Sequence, residues 1–469
     1  MTFPLSEQDW YRERDDRTRR VDEIKGFEDF KVGIIVSDEI EDDSQCQVMT
    51  WIICNILARW CRYITLQAPR HVISRLNLSK GDNFNDSIQR ALLHIDPYLA
   101  LKLDQVDENR MDALCVIGNQ IGQFSKKAIW IGCDGWLTGI GTYPRKNFHD
   151  RIKCENVLGA SFAACLGSAA LFRRATAKGA IEEQELWYSL ADFKKSASKS
   201  ELKNPPFINN WEFGHVHQPG CGAVGSSFDY LLALTNWRGN IDLIDFDTVS
   251  YSNCNRTLGF TAYHAVHKIA KVEACAEILN FNAAIRVRKF LCDYSQYIDQ
   301  GNFFAPPPDL ILCLANQRTI WPDIQHNLPP IVLHATTTPN WGVNFGRHIP
   351  KKEWCILCRF SDEVKRLHVF IPECGKGKVV DEDRAAPIFG VLPFLSPMAA
   401  ILLLAEMSKM AFSNYPVNAS FINFSFMTSI GDFLASTGQI NEECICRRQE
   451  MGSYPDSIKK TKYWHLVSK

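Results

Sequence analysis

The chain of 469 residues carries almost no net charge, -1 at pH 7, and no long basic run, so it lacks the electrostatic footprint that nucleic-acid binding needs. It also lacks an N-terminal signal segment, and its 17 cysteines are an odd number. Both absences argue against a secreted disulfide framework and for reduced thiols in the cytoplasm. A membrane span is missing as well: Ala385 to Ala405 is apolar apart from Ser396, but Pro387, Pro393 and Pro397 interrupt it. Only Met398 to Met410 then reads as an unbroken helix, too short for a bilayer and ending with Glu406 and Lys409, so a core helix is expected. Neither nucleic acid nor a membrane is expected as a partner. Apolar residues are abundant, 46% of the total, in a chain long enough for two domains.

The most informative stretch begins at Gly220-Cys221-Gly222-Ala223-Val224-Gly225-Ser226. A glycine turn opening a helix presents bare N–H groups and a positive helix end to phosphates. The apolar run Ile241 to Ile244 then leads to Asp245, and an acid at that strand tip suits a ribose hydroxyl. Taken alone, the glycines fit a tight turn with no ligand equally well. The adjoining Asp245-Phe246-Asp247-Thr248-Val249-Ser250-Tyr251-Ser252-Asn253-Cys254-Asn255-Arg256 is narrower, and Lys271-Val272-Glu273 follows on the next helix. Arg256 and Lys271 place two positive charges near a phosphate site, which suits a triphosphate.

On these motifs the chain resembles the ThiF/MoeB/E1 family, the ATP-dependent activators of ubiquitin-like C-termini. The resemblance implies that Asp245 holds the ribose and that Asn253, Arg256 and Lys271 hold the phosphates, with Gly220, Gly222, Gly225 and Asp247 completing the nucleotide site. One position departs from the family. The strand Asp309 to Leu314 runs into Ala315-Asn316-Gln317, where the family ends with Thr-Asp-Asn, so Asn316 stands where a Mg2+-binding aspartate is expected. An amide oxygen can ligate a hard cation but brings no charge. That departure is the motive for a second reading, a non-catalytic pseudo-E1.

Cysteines provide the other signature. Cys355-Ile356-Leu357-Cys358 and Cys444-Ile445-Cys446 together offer four thiolates for a closed tetrahedral Zn2+ site that would staple the chain end to the domain. The second pair is one residue tighter than the usual spacing. Between them, Glu373-Cys374-Gly375-Lys376-Gly377-Lys378 reads as an exposed loop whose lysines favour a thiolate. In the E1-like family an acceptor cysteine lies in this interval, and Cys374 matches it by order; an ordinary loop cysteine is the alternative.

The first part of the chain repeats the second. Asp112 to Gln120 parallels Asp309 to Gln317 down to the closing Asn-Gln, and each is followed by another strand and later by a small-residue helix, Gly159 to Arg173 and Met398 to Met410. Where the second half has glycines, the first has Ser37-Asp38-Glu39-Ile40-Glu41-Asp42-Asp43, carboxylates that would repel ATP. The expected fold is therefore α/β, two Rossmann-like E1/ThiF-type halves, the N-terminal one inactive and the C-terminal one ATP-binding, with a zinc clip. The expected boundaries are an inactive adenylation domain at 1–190, a linker at 191–206, the active domain at 207–446 and a short charged tail at 447–469. In the family the N-terminal partner sends an arginine into the active half's ATP site, which makes Arg14 the candidate among Arg12, Arg14 and Arg17.

The resemblance implies an activating enzyme that adenylates the C-terminal glycine of a ubiquitin-like protein, takes it as a thioester on Cys374 and hands it to an E2-like carrier. The tail is too short for the ubiquitin-fold domain that recruits such carriers in larger E1 enzymes. A sulfur-carrier adenylyltransferase like MoeB or ThiF is the other enzymatic reading. The compact two-half plan also resembles bacterial BilD-type E1 proteins of antiphage defence. The fused halves could satisfy the family's dimer interface within one chain, or two chains could pair as a homodimer.

Overall fold

The computed structural model describes the chain except residues 1–2, 22–23, 25, 120–123, 126, 143–154, 177–184, 316–319, 339–340, 360–389, 413–418, 427–430, 443, 449–453 and 469. Short apolar runs form the inner strands. Val32 to Val36 is buried throughout, as a strand covered on both faces must be. The first sheet contains β1 (Lys31–Val36), β2 (Tyr63–Gln67), β3 (Ala100–Leu103), β4 (Ala113–Ile117), β5 (Ala128–Asp134), β6 (Leu137–Gly141), β7 (Leu186–Ser189) and β8 (Lys194–Ser196). The second contains β9 (Glu212–Pro219), β10 (Arg238–Ile244), β11 (Ile285–Phe290), β12 (Leu310–Cys313), β13 (Val332–Thr338), β14 (Gly342–His348), β15 (Phe421–Ser425) and β16 (Asp432–Ser436).

Their strand orders are the same, β3-β2-β1-β4-β5-β6-β7-β8 and β11-β10-β9-β12-β13-β14-β15-β16. In each sheet the first five strands of that order pair in parallel and the rest antiparallel. The expected pair of Rossmann-like halves is thus present, and the repeat legible in two strands extends to every strand.

Helices α1 (Glu7–Arg14), α2 (Asp16–Arg19), α3 (Ser44–Leu57), α4 (Phe84–Ile95) and α5 (Val157–Ala175) belong to the first half, and α6 (Ala223–Ala233) opens the second. Asp43 caps α3 by accepting from Gln45 N–H, and Asn156 caps α5 by accepting from Leu158 N–H. Helix α5 is buried on nearly all faces, and so is the helix Leu395–Lys409. A helix apolar all round has to sit inside the protein. These two pack on each other, α5 also against α3 and β5, and Leu395–Lys409 against α6, β13 and β14. One hydrophobic cluster therefore runs through both halves, from Trp10 to Val467.

Three expectations change in the structure. The stretch read as a linker contains β8, which pairs with β7 and extends the first sheet. The stretch read as a charged tail buries Tyr454, Ile458, Tyr463 and Val467, and the Tyr463 hydroxyl donates to the Phe213 carbonyl at 2.8 Å. The core helix starts at Leu395, because Pro397 lies in the first turn where a missing N–H costs nothing. Its charges are paired inside the protein: Lys409 Nζ pairs with Glu406 at 3.1 Å, Glu406 also pairs with Arg347, and all three are buried. Among the described residues, no helix is long and apolar enough to cross a membrane.

Candidate nucleotide site

Strand β9 ends at Pro219 and the chain turns through Gly220 into α6, whose N-cap is Gly222. Gly220 has φ +106°, a left-handed conformation, and an added Cβ would run into the backbone of Ala315 beyond β12. A Cβ on Gly225 would meet the Gly220 carbonyl, so small size there lets α6 start close to the strand. Gly222 differs: a Cβ would find nothing within 4 Å. Its bareness answers no packing demand inside the protein and leaves the helix N-terminus open to a ligand.

Asp245, just past β10, faces this turn. It accepts from Cys221 N–H at 2.8 Å and from Asp247 N–H at 2.9 Å. Burial pushes its pKa up, opposed by the charge of Lys271. Lys271 Nζ pairs with Asp247 at 2.5 Å, and its own N–H donates to the Asp247 carbonyl at 2.9 Å. The glycine turn, Asp245, Asp247 and Lys271 are thus brought together at the carboxyl ends of β9 and β10. These neighbouring parallel strands adjoin the point where strand order reverses, the usual ligand crevice of such sheets.

The motif loop is built onto the same turn. Asn253 closes a capping box with Ser250, whose N–H donates to Asn253 Oδ1 at 2.9 Å. Arg256 donates to the Ser252 carbonyl and to Asn255 Oδ1, the latter at 3.3 Å. Thr257 shares a hydrogen bond with Ser226 at 2.5 Å, and Leu258 N–H donates to Ser227 Oγ at 3.1 Å, both near the start of α6. Beneath it, Gln218 Nε2 donates to Asp229 Oδ2 at 3.0 Å, and burial pushes the Asp229 carboxyl up to about 7.

In the first half the corresponding turn carries its own acid. Ser37 leads into a short 3-10 helix, Asp38–Glu41, and Glu39 accepts from the Asn119 N–H at 3.2 Å and its Nδ2 at 3.0 Å. A carboxylate here binds the end of β4 and opposes a phosphate.

Arg14 is not where the resemblance put it. It is completely buried, donating to Asp15 and Asp96 at 2.7 Å each and to the carbonyls of Ala58 and Trp60. Burial opposes its charge, but these two carboxylates hold its pKa above the usual guanidinium range. The correction has a simple cause: Arg14 lies on the inward face of α1 and is paired with two acids of its own half, Asp15 also pairing with Arg62. The segment itself does lie against the motif, with Thr18 Oγ1 accepting from Asn255 Nδ2 at 3.0 Å and Trp10 edge-on to Tyr251. Asn316 and Cys374 fall outside the described residues.

The four cysteines converge. Cys355 Sγ lies 3.8 Å from Cys358 Sγ and 3.5 Å from Cys444 Sγ, and Cys358 Sγ lies 3.4 Å from Cys446 Sγ. Tetrahedral zinc with Zn–S bonds of about 2.3 Å sets its sulfurs about 3.8 Å apart, so these residues fit the ion. The short turn at Ile445–Arg448 starts between the second pair and accommodates the tight spacing.

Two groups escaped sequence reasoning. Arg59, wholly buried beyond α3, donates to carbonyls of the motif loop; a lone arginine in the apolar stretch Met49 to Cys61 was the available signal. His215, His217 and Asp242 form a buried cluster on β9 and β10, and the His-x-His alternation places both rings on one face. Asp242 accepts from Arg288 Nε at 2.7 Å, Tyr297 Oη at 2.6 Å and His215 Nε2 at 3.2 Å. Burial works against its charge, yet these hydrogen bonds hold it below the usual carboxylate range. Its oxygens are already occupied by protein donors, so the cluster reads as a polar network joining strands to the helix Tyr294–Asp299.

A family model described as "ThiF family" matches residues 205–444. No curated protein matches the chain. Among solved structures, Escherichia coli MccB with selenomethionine MccA is similar at 19% identity and TM-score 0.37, over 50% of this chain and 66% of that one. MccB with ATP is similar at 17% identity and TM-score 0.36, over 49% and 65%. PaaA is similar at 19% identity and TM-score 0.36, over 47% and 72%. The chain thus spans just under two thirds of MccB's length.

Proposed function

The chain belongs to the ThiF family, and from that membership we propose that it is an E1-like activating enzyme whose second half uses ATP to adenylate the C-terminal carboxylate of a ubiquitin-like protein. The observation that carries this reading is the open Gly222 at the start of α6 beside Asp245, Asp247 and Lys271. ATP would lie with its ribose on Asp245 and its phosphates over Gly220 to Gly225. A carboxylate oxygen of the partner attacks the α-phosphorus, the bond to the bridging oxygen of the β-phosphate breaks, and pyrophosphate leaves with that electron pair. Arg256 and Lys271 stabilise the charge that builds on the phosphates, a task preorganised cations perform without moving. Mg2+ would be held beside Asn316 and the phosphates. Zn2+ would be held by Cys355, Cys358, Cys444 and Cys446 and supply a structural clip.

In the second step the Cys374 thiolate attacks the acyl carbonyl, the acyl–phosphate bond breaks, and AMP leaves, giving a thioester for handover to an E2-like carrier. The antiphage setting rests on the compact two-half plan.

ATP–pyrophosphate exchange on the whole chain, with magnesium and a ubiquitin-like protein ending in glycine, tests the first step. Exchange that disappears when the terminal glycine is deleted supports activation. A folded, partner-bound chain without exchange would favour the non-catalytic pseudo-E1 reading, which rests on Asn316. Cys374→Ala is expected to keep exchange and abolish the thioester, and loss of both in a folded variant removes Cys374 from the acceptor role.

A further inference from the structure

The motif loop is held on two sides, and one of them is the half without a nucleotide turn. Arg59 is 0% exposed, and among the described residues the acceptors of its guanidinium are an amide oxygen and backbone carbonyls, with no carboxylate. Nε donates to Asn55 Oδ1 at 2.9 Å, Nη1 to the carbonyls of Cys254 at 2.6 Å and Phe260 at 3.0 Å, and Nη2 to the carbonyl of Leu258 at 2.6 Å. Asn55 Nδ2 donates to the same Leu258 carbonyl at 3.2 Å. Three carbonyls on either side of Arg256 and Thr257 are therefore gathered by one side chain from across the half–half boundary.

Joining two halves does not require this. A buried charge facing only neutral groups is costly, and apolar packing of similar volume is often as stable. Burial pulls Arg59 down to about 10, which still leaves it charged at neutral pH. What the planar fork adds over an apolar contact is direction, since each N–H fixes an acceptor in a set plane. On the opposite side of the loop, Thr257 and Leu258 are bonded to Ser226 and Ser227 near the start of α6. Arg256 is the residue between these attachments and the Ser252 turn.

We infer that Arg59 is a positioning residue, through which the half lacking a nucleotide site holds Arg256 in register with the glycine turn of the other half. The inference rests on the nucleotide reading of that turn. It makes a selective prediction: Arg59 matters for phosphates and not for the nucleoside.

The test is calorimetric binding of ATP and of adenosine to the full chain and its variants. Arg59→Gln is expected to weaken ATP about tenfold or more, the scale of one or two charge-assisted hydrogen bonds, with adenosine changed less than about twofold. Arg256→Ala is expected to give the same pattern, and the double variant no further loss. Arg59→Lys, which keeps charge but not the fork, is expected to recover part of the ATP affinity. Equal losses for both ligands, or additive losses in the double variant, overturn the inference and leave Arg59 a structural residue. Should Arg59→Gln fail to fold, Asn55→Ala carries the same comparison, because it removes the acceptor that orients Nε and the second donor on Leu258. An unchanged ATP-to-adenosine ratio in that variant overturns the inference too. A wild-type chain that binds neither ligand sinks the nucleotide reading itself, an outcome distinct from both.

Discussion

Gly220 and Gly222 stand two residues apart and are glycine for different reasons. At Gly220 the backbone is left-handed and a Cβ strikes the Ala315 backbone, so Gly220→Ala strains the native turn. At Gly222 a methyl group has open space, so Gly222→Ala should cost only the poorer N-cap of α6, about 0.5 to 1 kcal/mol, and leave a folded chain. It should nevertheless weaken ATP, because the methyl projects where a phosphate must approach. Thermal melts with and without ATP check both: a Gly222→Ala chain still stabilised by ATP like wild type would remove the phosphate role. Asp229 gives a pH prediction. Its carboxyl is raised from 3.8 to about 7 by burial, so the folded state prefers the protonated form. That preference stabilises the fold below pH 3.8 and is lost as pH rises from there to about 7. Asp229→Asn, which keeps an acceptor for Gln218, should therefore lose less stability over that window than wild type, as denaturant melts at pH 5 and pH 7.5 would show. Parallel pH profiles would contradict the assignment. These residues were unevenly legible: the glycines and Asp245 could be read from spacing, whereas Asp229 lies in an ordinary helical run and only its burial makes it titrate abnormally.

Among elements, the zinc clip and the central helices illustrate how far local pattern reaches. Cys355, Cys358, Cys444 and Cys446 were readable because metal ligands announce themselves by type and spacing. Their convergence to Sγ separations of 3.4 to 3.8 Å was not, because it depends on how β16 and the chain after it return to the end of β14. Purified chain is expected to contain one zinc per molecule by elemental analysis. Cys358→Ser should lower that content and the melting temperature, while a metal-free wild-type preparation of equal stability would show that the cluster is merely four thiols. The helix Leu395–Lys409 is legible as a core helix, but what satisfies Glu406 and Lys409 is not. They are buried with Arg347 and Glu353, since a charged group can enter a core when partners from β14 and the following turn satisfy it. No local window contains those partners.

For the whole molecule, the two sheets share one hydrophobic cluster, and each half covers apolar surface of the other. Trp51 Nε1 donates to the Tyr230 hydroxyl at 2.7 Å, and Asn77 Nδ2 donates to the carbonyls of Ala233 and Thr235 at the end of α6. The chain is therefore expected to unfold in a single calorimetric transition despite its two sheets. A fragment beginning at residue 207 should be insoluble alone and recovered when residues 1–206 are co-expressed. Two separate transitions, or a stable isolated second half, would contradict the shared core.

The amino-acid order by itself determined what depends on near neighbours: strand and helix periods, the glycine turn with its acid, the paired cysteines, and a repeat strong enough to imply two similar halves. Asn316 and Cys374 were matched to family positions by resemblance, Cys374 by order alone, and both lie outside the described residues. The tertiary structure alone decided which arginine does what. Arg14, Arg17 and Arg59 look alike as charged letters, yet Arg14 is neutralised within its own half by Asp15 and Asp96, while Arg59 reaches across to the carbonyls around Arg256. The reason is physical: a guanidinium's role is set by the acceptors within about 3 Å of it, and here those acceptors lie up to 201 residues away along the chain.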